Sequence, residues 1–229
     1  MDIQCISSGS KGNAYRITDG HSTLLLDCGV SFKKIQVACN FNTQFDGCLI
    51  THEHQDHCKG AKELLRRGID VYATEGTLSA MNINGLVIHT EHTYDIGTFE
   101  VIAFDIEHDA TEPVGFLIYS TATNEKLLYL TDTCYCRYTF SDLNYIMIEC
   151  NHDKEMLIDN VLNKNIYPDL AKRILKSHMS LDTCIEFLKA NNLSKVKEIY
   201  LIHLSNENSN ANTFKTEIQK VTGKLVRVF

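Results

Sequence analysis

Residues 52–57 read His52-Glu53-His54-Gln55-Asp56-His57, so four metal-ligating side chains recur at His-x-His-x-Asp-His spacing. The run follows the apolar stretch Gly47-Cys48-Leu49-Ile50-Thr51 and precedes a helical pattern. A strand end is rigid, and the turn after it fans side chains toward one point, so this spacing serves two adjacent cations. Imidazole nitrogens with a carboxylate suit a borderline divalent ion such as Zn²⁺ or Mn²⁺. A chance cluster of polar loop residues explains the spacing poorly. Further ligands are expected at the mouths of later apolar strands: His108 after 104–107, Asp132 after 128–131 and His203 after 199–202. Any one of these reads equally well as a cap or a satisfied core residue. Their recurrence after strands favours the metal.

Strands that would carry these groups are predicted over 2–7, 14–18, 23–27, 47–51, 71–73, 86–88, 99–105 and 114–120, with Gly9, Gly12, Gly20 and Gly97 as punctuation. Helices are predicted over 58–67, closed by Gly68, and over 77–81, 156–162, 169–176, 181–191 and 212–222. Apolar strands at 126–130, 145–148 and 198–202 alternate with the later helices. Strands first, then alternation, predicts an α/β (α+β) chain with two sheets flanked by helices. Two prolines, twelve glycines and no repeat in 229 residues leave no linker, so one domain over 1–229 is expected.

The composition sets limits. No run of about 18 apolar residues occurs, and the N-terminus lacks a signal-peptide pattern, so a cytoplasmic chain with no membrane partner is expected. Nine cysteines, an odd number without a Cys-x-x-Cys pair, read as reduced thiols. A net charge of −7 argues against holding long nucleic acid by a broadly basic surface. Two bound divalent ions would nevertheless supply positive charge locally. Lys59, Lys62, Arg66 and Arg67 cluster just after the metal motif, and Lys172, Arg173 and Lys176 precede His178. For each cluster a solvated helix face and a substrate contact are equally open readings.

With Asp27 in Leu24-Leu25-Leu26-Asp27-Cys28-Gly29 added to the ligand series, the chain resembles the metallo-β-lactamase superfamily from Asp2 to Arg227. The resemblance implies a four-layer αββα metallo-β-lactamase sandwich with two divalent metal ions, zinc or manganese, at the sheet edge. It implies one ion on His52, His54 and His108, the other on Asp56, His57 and His203, with Asp132 bridging. An aspartate at 132 is typical of phosphodiesterases and thioesterases in that superfamily, where penicillin-cleaving members commonly carry cysteine.

Finer motifs are similar to those of the WalJ (YycJ) group, which is related to RNase Z-like phosphodiesterases and associated with exonuclease activity on DNA. They are Ser8-Gly9-Ser10-Lys11-Gly12-Asn13, Glu149-Cys150-Asn151-His152-Asp153, Arg173 to Ser180, and His203-Leu204-Ser205-Asn206-Glu207-Asn208. Departures are Ser177, Cys150 and Met179, where that group usually has glycine, serine and leucine. The resemblance implies a phosphodiester substrate, Asp56 and His178 as catalytic groups, and His152, Ser205 and Asn208 toward the substrate. The bland reading makes Ser180 a helix cap with His178 merely packed, and Asn151 or Asp153 a cap with His152 on the surface. Residues 7–13 read as a hairpin turn rather than a phosphate loop. DNA is the leading substrate. Alternatives are a cyclic nucleotide, as for phage anti-Pycsar enzymes, tRNA 3′ processing, and a metal-binding scaffold without turnover. A homodimer accords with the pairing common among relatives.

Overall fold

A computed structural model describes residues 1–229 as two compact units, Met1–Asp105 with Ala110–Glu125, and Ile106–Asp109 with Lys126–Phe229. In the first unit, β1 (Asp2–Ser7), β2 (Ala14–Thr18), β3 (Thr23–Leu26), β4 (Gly47–Leu49), β5 (Val71–Ala73) and β6 (Leu86–Val87) lie side by side in chain order. The first three pair antiparallel through tight hairpins, and β3 to β6 run parallel. Parallel neighbours need crossovers, supplied by α1 (Phe32–Ala38), α2 (Gln55–Cys58) with α3 (Ala61–Arg66), and α4 (Glu75–Met81). Ser31 and Thr74 cap α1 and α4 through their side chains. Phe32, Ile35, Ala61, Leu64 and Leu78 from these helices share a core with Leu25, Cys48, Ile50, Val71 and Ala73. An antiparallel run, β7 (Thr93–Ile96), β8 (Phe99–Asp105) and β9 (Val114–Ser120), completes the unit.

The second unit is a parallel set: β10 (Glu125–Leu130), β11 (Tyr145–Glu149), β12 (Glu198–Ile202) and β13 (Leu225–Val228). Between β11 and β12 lie α5 (Lys154–Leu162), α6 (Pro168–Ser177) and α7 (Leu181–Ala190), and α8 (Ala211–Thr222) precedes β13. Asp153, Ser180 and Asn210 cap α5, α7 and α8, and Gly223 ends α8 in the left-handed conformation that glycine tolerates best. The capping expected of Asp153 and Ser180 is therefore real. β11 and β12 read as near-continuous apolar runs because they are buried on both faces.

Most expected elements recur within a residue or two. Three were not anticipated, namely α1, β7 and β13, which are short and lack a clean period. The helix expected over 58–67 is two pieces, and α2 begins inside the metal motif, so Asp56 and His57 stand on a helix rather than a turn. No helix is long and apolar enough to cross a membrane.

One close approach holds the first unit's chemistry in place. Gly29 N–H donates to Asn13 O, Asn13 N–H to Asp56 O, Cys28 N–H to His57 O and Gly60 N–H to Cys28 O, each at 2.7 Å. A Cβ on Gly29 would fall 1.7 Å from the Asp56 carbonyl oxygen, so no larger residue fits without moving the metal motif. Gly29→Ala is expected to cost about 3 kcal/mol or more in urea unfolding, as backbone must shift. Loss of bound metal in the same variant, measured by atomic absorption, is expected to accompany it.

Candidate metal centre

In the first unit the site is built around the buried carboxylate of Asp27, at the exit of β3. Its Oδ1 accepts from the Thr51 backbone N–H at 2.8 Å and from Thr51 Oγ1 at 3.0 Å. Its Oδ2 lies 2.7 Å from His57 Nδ1. A carboxylate only accepts, so His57 carries its proton on Nδ1 and keeps the lone pair on Nε2. Asn13 Nδ2, 3.0 Å from His57 Nε2, donates to that lone pair. Thr51 Oγ1, having given its proton to Asp27, accepts from His52 Nδ1 at 3.0 Å, which directs the His52 lone pair to Nε2.

His52 Nε2 and His54 Nδ1 converge to 3.1 Å. Two nitrogens each about 2.0–2.1 Å from one tetrahedral zinc stand about 3.3 Å apart, so this pair is spaced for a common ion. Asp56, with its side chain partly exposed, has Oδ2 3.6 Å from His57 Nε2. All four expected ligands of 52–57 are thus brought together.

In the second unit the parallel strands deliver their groups at one edge. Asp132 follows β10, Glu149 ends β11 and His203 follows β12, and the register Leu130↔Ile148 and Glu149↔Ile202 brings these exits level. Ligands gather at the carboxyl ends of strands in open α/β sheets for this reason. Asp132 Oδ1 is 3.3 Å from His203 Nδ1, and Asp132 Oδ2 is 3.7 Å from His108 Nε2. His108 Nδ1 donates to the Ser177 carbonyl at 3.1 Å. Burial lowers the His108 pKa against the pull of Asp132, which favours the neutral, ligating form.

Sequence reasoning missed the role of Glu149. Its Oε1 accepts from His203 Nδ1 at 2.8 Å and from His178 Nδ1 at 2.7 Å. Its Oε2 accepts from the backbone N–H of Met179 at 2.9 Å and of Thr133 at 3.1 Å. Oxygens of Glu149 and Asp132 and nitrogens of His178 and His203 lie within 4.8 Å of one another. With four donors already on it, however, Glu149 orients ligands rather than binding an ion. Burial opposes its charge, yet the His178 charge and the histidine hydrogen bonds outweigh this and hold the carboxyl below its usual range. For His178, burial is overcome by the carboxylates of Glu149 and Asp132, which raise its pKa. A glutamate ending an apolar strand, like the aspartates elsewhere, was the available signal.

Three residues bound for these clusters, Asp27, Asp132 and His203, leave their strands at φ of 54°, 48° and 54°. Non-glycine residues adopt this left-handed conformation at a cost, and such strain concentrates at functional sites.

The residues expected toward the substrate are placed as follows. Ser205 Oγ accepts from the N–H and Nδ2 of Asn208, both at 3.2 Å, and Asn208 Oδ1 accepts from Asn160 Nδ2 at 2.9 Å. Both residues knit the turn after His203 to α5. His152 is buried, not on the surface, with no hydrogen-bond partner on either ring nitrogen, and burial pushes its pKa down to about 4. Its carbonyl accepts from Leu181 N–H, tying this segment to the start of α7.

Residues 22–204 match the model of the β-lactamase superfamily domain. The chain belongs to that superfamily. Exodeoxyribonuclease YycJ of Bacillus anthracis is 32% identical over 242 residues, covering 96% of this chain and 89% of its own. Exodeoxyribonuclease WalJ of Streptococcus pneumoniae serotype 2 is 31% identical over 227 residues, covering 89% and 81%. Among solved structures, the metallo-β-lactamase fold protein YhfI from Bacillus subtilis superimposes with a TM-score of 0.73 at 15% identity, over 99% of this chain and 95% of that one. The metallo-β-lactamase fold that the motif resemblance implied, and the two sheets with flanking helices that the element order predicted, are therefore the fold of this superfamily member.

The superfamily implies metal, and the donor chemistry fits it. His52, His108 and His203 each have Nδ1 occupied by an oxygen, which leaves Nε2 as the ligating nitrogen; His57 is held the same way at Nδ1, and its Nε2 would have to exchange the Asn13 contact for an ion. Glu149→Gln would put an amide N–H opposite N–H donors. It is expected to weaken metal binding 10- to 100-fold by calorimetry. It should also destabilise the fold by about 2–3 kcal/mol. Asp27→Asn is expected to lower metal affinity to a similar degree through His57. Unchanged affinity in both would remove the orienting role.

Proposed function

We propose that this chain is a two-metal phosphodiesterase of the superfamily that degrades DNA as an exonuclease. The observation that carries this reading is the sharing of Glu149 between two histidines of different kind. His203 is enclosed, with its side chain 4% exposed, as a ligand would be, whereas His178 is 17% exposed and has room to meet a substrate. One carboxylate thus steadies a ligand and a proton-transfer group together. The 32% identity to an exodeoxyribonuclease over nearly the whole chain supports DNA as the substrate.

In this reading both units form one domain over 1–229. His52, His54 and His108 would hold one ion and Asp56, His57 and His203 the other, with Asp132 available to both. Two divalent ions, zinc or manganese, supply Lewis acidity and a water acidic enough to attack at neutral pH. Asp56 ligates and orients the attacking water. His178, protonated and held by Glu149, gives its Nε2 proton to the departing oxygen; Glu149 stabilises the imidazolium before transfer and afterwards accepts the Nδ1–H of the neutral ring. Ser205 and Asn208 act on the substrate indirectly, by setting the loop after His203. His152, neutral in its buried setting, acts by packing this same region. Nine free thiols accord with a reducing, cytoplasmic setting.

Zinc- and manganese-loaded protein should be assayed on end-labelled single- and double-stranded DNA, RNA and 3′,5′-cyclic nucleotides. Progressive shortening of DNA is expected, and it should be lost in Asp56→Ala. Cleavage of cyclic nucleotides alone would replace the nuclease reading, and silence on every substrate would end the phosphodiesterase one. His178→Ala is expected to lower kcat roughly 10²- to 10⁴-fold with metal content intact.

A further inference from the structure

The four cations after the metal motif separate in the structure. Arg67 pairs with Glu63 at 3.0 Å and stacks over the Phe32 ring, 4.2 Å from its centroid, so it serves the fold. Lys59, Lys62 and Arg66 are exposed and form no ion pair. Lys59 and Gly60 keep right-handed helical backbone between α2 and α3, so spacing of three and four residues puts the three cations on one face. At about 1.5 Å per residue the row runs roughly 10 Å from its start, two residues beyond His57.

Beside this row lies a hollow of about 140 Å³ bordered by Gln55, Cys58, Lys59, Lys62, Met81 and Ile83. It holds about five waters' volume. Pockets that enclose a whole small ligand run roughly 300–1,000 Å³, so this one takes only part of a larger molecule. Its lining combines cations and an amide with the apolar side chains of Met81 and Ile83, which suits a flat nucleobase edge next to phosphates. In the other basic cluster two of the three cations are engaged, Lys172 with Asp169 at 3.6 Å and Arg173 with Asp109 at 2.9 Å, and only Lys176 is left in solvent.

We infer that Lys59, Lys62 and Arg66, with the hollow against Met81 and Ile83, bind a single nucleic-acid strand beyond the diester being cut. This rests on the nuclease reading and adds to it that the substrate is a polymer gripped outside the metal motif. Repulsion from the chain's overall charge of −7 would otherwise oppose such a strand.

The test neutralises the row as Lys59→Gln/Lys62→Gln/Arg66→Gln in the full, metal-loaded chain. Three lines are measured: anisotropy with a labelled, cleavage-resistant phosphorothioate oligonucleotide, cleavage of the unmodified strand, and turnover of bis(p-nitrophenyl) phosphate, which is too short to reach the row. Strand binding is expected to weaken about 100-fold at 0.1 M salt, and the log–log salt slope to flatten by about 2. Turnover of the small diester should stay within about twofold of wild type. Equal strand affinity and equal salt slope in the two proteins would overturn the row while leaving the nuclease reading intact. Parallel loss of strand and small-diester turnover would overturn it as well, because the cations would then be acting on the centre. If wild type hydrolyses the small diester but neither binds nor cuts a strand, the nuclease reading falls and the row with it.

Discussion

Two buried carboxylates, Asp27 and Glu149, govern which nitrogen of each neighbouring histidine carries a proton. A neutral imidazole binds metal only through its unprotonated nitrogen, so a histidine free to exchange tautomers is a poor ligand. Asp27 fixes His57 directly and His52 through Thr51, and Glu149 fixes His203 and His178. Each carboxylate is itself held by backbone, Asp27 by the N–H of Thr51 and Glu149 by those of Met179 and Thr133, which removes its freedom to turn away. Placing such charges inside a protein is costly unless every lone pair is used. Here the hydrogen bonds that satisfy the carboxylates are the ones that prepare the ligands, so stability and readiness for metal share one cause.

Strand ends make this arrangement available. A parallel strand brings its terminal residue to a fixed level of the sheet, and a left-handed residue placed there turns the chain sharply while its side chain stays at the edge. Asp27, Asp132 and His203 all do so. Glycine would relieve the strain at each position but would remove the ligand or its support. Gly29 matters in a different way, because its missing side chain lets Asn13 and the start of α2 lie in hydrogen-bond contact beside Asp27.

Electrostatics explains how an acidic chain handles an acidic substrate. Net charge acts at long range and is screened within about 10 Å in ordinary salt. Ion-bound charge and a short cation row act within that distance. On the proposed reading the chain therefore needs no broadly basic surface, since a phosphodiester would meet positive charge at the metal motif and along the helix face that continues from it.

The ligand types, their spacing and the apolar strands before them were legible in the sequence, because ligation demands particular atoms and strand burial demands an unbroken apolar run. His52, His54, Asp56, His57, His108, Asp132 and His203 could be named as candidate ligands on those grounds and on the superfamily resemblance. The roles of Glu149, Asn13 and Thr51 were not legible. Glu149 meets His203 across 54 positions and Asn13 meets His57 across 44, and no local pattern records a pairing made only when distant strands align. Periodicity likewise showed a cation cluster after the motif but could not divide it. Only the packed chain, by giving Arg67 to Glu63 and Phe32 and leaving Lys59, Lys62 and Arg66 in solvent, decided which charges serve the fold and which face outward.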